Sequence, residues 1–264
     1  MIIDFHTHIF PDRIAARALE VLKKQCGDSD TYTDATLSDT RKKMQQWGID
    51  KYVCLNISTN TKQQTNVNNF AIENNGDNCI MFGSVHPFSE NVMEELERIK
   101  SAGLKGIKLH SEYQNFDAAD KRVFPVYEKI MQLKLILVFH GGTDIAYQDT
   151  PTRCTPRDIK LLRENFKDLT IVMAHLGGYK ETQSTLEHIA GKDIYLDTSI
   201  ANVLITRENT QKVIAAHGED FLLFGSDCPW ANAADNVKFI DSLNIPQSKK
   251  DALFYKNAKR LLNI

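Results

Sequence analysis

His6 and His8 stand two residues apart in the opening segment MIIDFHTHIF. Along an extended strand, residues i and i+2 point to one face, so both imidazoles aim the same way. Two neutral imidazoles on a rigid strand form a ready chelate for Zn²⁺ or a similar divalent ion. By the same alternation Asp4 shares their face, while Ile3, Phe5 and Thr7 point toward whatever packs behind the strand. One H-x-H is a weak signal by itself. It gains weight from His140 in FHGG, His175 in AHLGG and Asp227 in GSDCP, each at or near the end of a short apolar run. His86 before Pro87 and His110 in IKLH end two further runs, whereas His188 and His217 lie in helical stretches and read as surface or packing residues. Each has a plain alternative: a histidine beside glycines suits a tight turn, and Asp227 suits an N-cap or an Asx-turn before Pro229. Caps and turns alone do not call for five such residues to share one rim.

The elements that must position these residues are legible as an alternation. Apolar, β-branched runs occupy 1–8, 51–58, 79–86, 103–110, 135–142, 169–178, 194–199 and 221–230. Their near-continuous apolar character fits parallel strands buried on both faces. Amphipathic helical patterns lie between them, for example NVMEELERIKSAG over 91–103, which ends on a glycine stop. Successive strand starts are 50, 28, 24, 32, 34, 25 and 27 residues apart. A βαβ unit takes about 30 residues, so each interval holds one crossover. The first has room for an extra helix or a lid, and two helices fit after Trp230. Eight βα units in about 250 residues predict an α/β fold, a (β/α)8 TIM barrel in one domain over 1–264. A doubly wound sheet is the alternative, but its glycine-rich phosphate loop is replaced here by HTHIFPD. In a barrel the C-terminal strand ends converge on one face, which carries the active site.

Composition narrows the function classes. The 264 residues are 42% hydrophobic and 25% charged, ordinary globular proportions that exclude a disordered or collagen-like chain. Lys and Arg number 32 against 34 Asp and Glu, a net charge of −2, so no basic excess draws in nucleic acid or an anionic membrane. LILVF at 135–139 is among the longest apolar runs and is far too short for a bilayer span. The N-terminus lacks a basic n-region, so no signal peptide is expected. Five dispersed cysteines without a C-x-x-C pair read as reduced thiols, and the expected location is cytoplasmic. The expected partner is a small-molecule substrate, with a homodimer left open as the assembly.

DFHTHIFP, GSVHP, GLKGIKLH, VFHGG, IVMAHLGG, YLDTS and LLFGSDCPW run in this order from Asp4 to Trp230. As an ordered set they resemble the amidohydrolase superfamily of metal-dependent TIM-barrel enzymes, most closely the branch of aminocarboxymuconate semialdehyde decarboxylase-like proteins. The resemblance covers nearly the whole chain, including the closing KKDALFYKNAKRLLNI. It implies one divalent metal ion, Zn²⁺ for preference, on His6, His8, His140 and Asp227, with His175 binding a second metal or acting on substrate. Many superfamily members bridge two metals with a carboxylated Lys or a Glu on strand four, where this chain has Lys108 and His110. A single metal and an unmodified Lys108, paired inside the barrel with an acid such as Asp4, is the expectation. TatD-like nucleases share the H-x-H start but carry a Glu on strand four. Polymerase-and-histidinol-phosphatase barrels match the later motifs poorly.

An ion held by three His and one Asp lowers the pKa of bound water toward about 7. Asp227 is then the natural general base, and His175 would stabilise a developing oxyanion. These parts predict a metal-dependent hydrolase acting on an amide, lactone or ester. Non-oxidative decarboxylation of an unsaturated or aromatic acid is the alternative on the same residues, and it needs a carboxylate clamp. Arg153 and Arg157 are candidates for that clamp, though both also suit a solvated helix start. A barrel that binds metal without turnover is the non-enzymatic alternative, with little in its favour. Phe10, Tyr113, Asn202 and Trp230 follow strands and, with His110, are candidates to line a substrate pocket.

Overall fold

Eight short parallel strands carry the expected ladder in a computed structural model that describes residues 1–27 and 29–264. They are β1 (Ile3–Thr7), β2 (Lys51–Leu55), β3 (Cys79–Phe82), β4 (Gly106–Leu109), β5 (Ile136–Phe139), β6 (Ile171–Met173), β7 (Tyr195–Asp197) and β8 (Leu222–Leu223). Regular pairing joins β1-β2-β3 and β4-β5-β6-β7-β8 in sequence order. Two seams close the ring. Gly83 pairs with Ile107 between β3 and β4, and Phe5 N donates to Phe224 O at 2.7 Å while Thr7 pairs with Cys228 between β8 and β1. The (β/α)8 barrel read from the strand count is the observed fold. The ordered strands are shorter than the apolar runs because most runs continue past the ladder into a loop, which carries His8, His140, His175 and Asp227, whereas His6 and Asp197 lie on β1 and β7 themselves.

Two apolar layers follow from strand alternation. Ile107, Leu109, Leu137, Phe139 and Leu196 face the surrounding helices. Val53, Leu55, Phe82, Val138, Val172 and Leu223 fill the barrel, closed at the bottom by Ala258 and Leu262 of the last helix, Asn257–Leu262. The long first interval holds two helices, Asp12–Gln25 and Leu37–Gln46. After Trp230 come Ala233–Asp241 and a second helical stretch running from Gln247 to Leu262 through a π-helical turn at Ala252–Lys256. Among the described residues no helix is long and apolar enough to cross a membrane.

The alternation predicted for β1 needs correction. Ile3 and Phe5 belong to the interior layer, Phe5 meeting Phe82 edge-on at 5.8 Å, so they do not point to the helices. Pairing with β2 is irregular between Asp4 and Thr7, and that irregularity breaks strict alternation ahead of the histidines. Asp4 instead lies at the seam with β8, where its Oδ1 accepts from Ser226 N at 2.9 Å and His6 N at 3.1 Å. It is fully buried there, which pushes its carboxyl up to about 7. Lys108 therefore does not pair with Asp4.

Candidate active site

The barrel supplies a row of strand ends, and the loops after β1, β5, β6 and β8 turn their polar side chains into one cavity. His6, His8, His140, His175 and Asp227 all line this cavity, which has a volume of about 430 Å³. His6 Nε2 lies 3.2 Å from His8 Nε2, and Asp227 Oδ1 lies 3.3 and 3.1 Å from those two nitrogens. Atoms each about 2.1 Å from one ion stand roughly 3.0–3.4 Å apart, so this triangle has the edge lengths of three metal ligands.

The outer nitrogens make the triangle's chemistry specific. His6 Nδ1 donates to Asp197 Oδ2 at 2.8 Å, and His8 Nδ1 donates to the Leu55 carbonyl at 2.8 Å. Those partners can only accept, so each Nε2 is left with a bare lone pair aimed at the other and at a carboxylate. Three electron pairs converge with no hydrogen between them, an arrangement that a divalent cation satisfies. Burial holds His6 neutral, moving its pKa down to about 4, and the Lys108 charge adds to this against the pull of Asp197 and Asp227. Burial would raise Asp227; the pull that outweighs it comes from His6, His8 and His175 in their protonated forms, so beside two bare Nε2 atoms it is a cation that would hold the carboxyl ionised. Neutral imidazoles beside an ionised carboxylate are a competent ligand set.

His140 and His175 are placed by backbone contact between their glycine loops. Gly142 has φ +76° and pairs with Tyr179, and a Cβ on Gly142 would stand 2.4 Å from the Tyr179 carbonyl. Gly178, at φ +122°, would likewise press a Cβ to 2.7 Å from Gly142 N. His175 itself adopts φ +60° and Asp227 φ +74°, a conformation that non-glycine residues hold at a cost of about 1–3 kcal/mol and that clusters at functional sites. His175 Nε2 is 3.1 Å from His140 Nδ1, and its Nδ1 is 2.7 Å from Ser199 Oγ, which donates in turn to Asp197 Oδ1.

His140 does not join the tight triangle. Its ring stacks on His110 at 4.1 Å, and with Asp144 these two form a neighbouring group. His140 Nε2 has no hydrogen-bond partner among the described residues. Burial would lower the pKa of His110, but Asp144 at 3.3 Å and Glu112 at 3.5 Å outweigh it and raise it.

Of the other sequence candidates, Phe10, His110, Tyr113 and Trp230 line the cavity. Asn202 does not; its neighbours Ile200, Val203 and Leu204 take that wall. Arg157 is exposed on the first turn of helix Pro156–Asn165, and Arg153 reaches Asp117 on the surface at 3.1 Å, so neither enters the cavity. Asp197 is not among the sequence candidates, although an acid ending strand seven in YLDTS is the signal that marks it. Gln114 is also absent from them; its buried amide accepts from His110 N and donates to the Ser58 and Val85 carbonyls, tying three strand ends together.

A closed parallel barrel with a polar cluster at one mouth is the architecture of metal-dependent amidohydrolases. Residues 3–264 match the family described as Amidohydrolase, and the chain belongs to it. Its fold is similar to an uncharacterised TIM-barrel protein from Bordetella bronchiseptica, at 19% identity over 99% of this chain and 98% of that one, with a TM-score of 0.77. It is similar to 5-carboxyvanillate decarboxylase from Sphingomonas paucimobilis at 16% identity, covering 100% and 99% of the two chains, TM-score 0.70. A dihydroxybenzoic acid decarboxylase from Polaromonas sp. JS666, solved with bound manganese and the inhibitor 2-nitroresorcinol, aligns at 14% identity over 99% and 96%, TM-score 0.73. None of the curated proteins matches the chain in sequence.

Proposed function

We propose that this protein is a divalent-metal-dependent decarboxylase of a small aromatic or unsaturated carboxylic acid. The observation that carries the reading is the seat of the His6, His8 and Asp227 triangle in a cavity with aromatic side chains from Phe10, Tyr113, Tyr179 and Trp230 on its walls. Such walls suit a flat, unsaturated ligand. The likeness to decarboxylases of aromatic acids supports this reading over hydrolysis, and manganese in one of them makes Mn²⁺ a candidate beside Zn²⁺.

His6, His8 and Asp227 would hold the ion, with His140, whose Nε2 is uncommitted, as the residue that completes the shell. The ion when bound would supply Lewis acidity and orient a substrate oxygen. The chain's own residues handle the rest. Loss of CO₂ leaves an electron pair on a carbon that must take up a proton. His175 is suited to deliver it, because Ser199 and Asp197 hold its ring from behind. The aromatic walls exclude water from that carbon.

Hydrolysis of an amide, lactone or ester is the second reading. It is favoured by one observation, the Asp227 carboxyl group in the cavity beside His6 and His8, placed as a general base requires. Protein loaded with Zn²⁺ or Mn²⁺ and given a panel of hydroxybenzoates, lactones and amides separates the two. Release of CO₂, lost in Asp227→Asn, is expected; cleavage of lactones or amides without CO₂ release overturns the decarboxylase reading.

A further inference from the structure

Lys108 is fully buried in the barrel interior, opposite Val138 in the β4–β5 register, and it lines the same cavity as the histidines. Among the described residues its Nζ has no hydrogen-bond partner, and no carboxylate oxygen comes within the 4.0 Å of an ion pair. Burial lowers its pKa to about 8, against Asp197, Asp227 and Asp144, which act on it only through space. Burying an ammonium without a partner costs several kcal/mol, so its counter-charge should come from what enters the cavity. Asp197 is already engaged by His6 and Ser199, and Asp227 faces the bare Nε2 atoms of the two histidines, where the ion would sit. The arginines that sequence offers as a carboxylate clamp lie outside.

We propose that Lys108 is the anion anchor of this cavity, pairing with an anionic oxygen of an aromatic acid that stays on the molecule through the reaction. That the oxygen is retained rests on the decarboxylase reading. A cation paired with the departing carboxylate would hold charge where the reaction must remove it, stabilising the ground state more than the transition state. A cation on a retained oxygen strengthens binding without opposing that flow.

The test uses benzoate and its neutral counterpart benzamide, titrated calorimetrically into EDTA-treated full-length protein, so that metal and turnover play no part. The unaltered protein should bind benzoate roughly tenfold to a hundredfold more tightly than benzamide. Lys108→Met should bind the two equally, with a melting temperature unchanged or raised. A crystal structure of the unaltered protein with 4-nitrophenolate, whose one ionised oxygen cannot leave as CO₂, should place that oxygen beside Lys108 Nζ, and this holds even if the variant fails to fold. An anion preference that survives in Lys108→Met, an anion seated elsewhere, or a carbamate on Lys108 in the native protein overturns the assignment. Loss of the preference in a protein that releases no CO₂ from any acid would sink the reaction reading and leave the anchor standing.

Discussion

Asp197 Oδ2 accepts the Nδ1–H of His6 at 2.8 Å, and that contact decides which nitrogen of His6 faces Asp227. An acceptor behind the ring fixes the tautomer and leaves Nε2 as the donor toward a cation. Asp197→Asn puts an amide in its place, which can present N–H to Nδ1 and turn the ring to the other tautomer. Metal affinity should fall about 10–100-fold with the circular-dichroism spectrum unchanged. Competition against a fluorescent chelator measures it, and an unchanged affinity would remove Asp197 from the site.

The triangle itself makes a stronger demand. His6→Ala combined with His8→Ala deletes two of three converging ligand atoms, and retention of Zn²⁺ or Mn²⁺ after gel filtration should drop below a tenth of an equivalent. Elemental analysis of the folded variant is the check; a full equivalent would mean that the ion sits elsewhere.

Phe5 offers a test of the barrel register. It is fully buried against Phe82 in the interior layer, so Phe5→Ala should cost about 3–5 kcal/mol in urea unfolding. A loss well under half of that would mean that Phe5 is not packed into the barrel interior.

His217 carries a pH dependence remote from the cavity. Its Nδ1 accepts from Gly191 N at 3.2 Å and its Nε2–H donates to the Ile194 carbonyl at 2.8 Å, so the folded state holds it neutral. Burial lowers its pKa below the ordinary value of 6.5, with a smaller push from Lys249. The unfolded chain then binds more protons than the folded one just below pH 6.5. The stability this group contributes is full above that pH and is lost as pH falls, with a slope approaching about 1.4 kcal/mol per unit. Urea unfolding between pH 7.5 and 5 should show this slope, reduced in His217→Gln; a slope identical in the two proteins would refute it.

Glycine placement explains why two histidines were easy to find and hard to assign. FHGG and AHLGG each announce a polar residue at a strand end, but only the contact between Gly142 and Gly178 shows that the two loops seat His140 against His175. Linear spacing cannot say which of several rim histidines share an ion. His140 reads like His6 and His8 in the sequence, yet in space it stacks on His110.

What the sequence determined by itself is the parallel barrel and the identity of its polar rim, because both are written in local terms. Apolar runs about 30 residues apart dictate βα repetition, and a polar residue closing each run must emerge at the same end. Only the tertiary structure decided which lone pairs converge, that Ile3 and Phe5 face inward, that Asp4 is at the β8 seam, and that Lys108 has no hydrogen-bond partner among the described residues. Each of those depends on a relation between strands distant in sequence. The irregular pairing after Asp4 resets alternation in β1, and ring closure brings Asp227 and Asp197 to His6 across about 190 to 220 intervening residues. Periodicity within one strand carries no information about such a reset or about the neighbour that closure supplies.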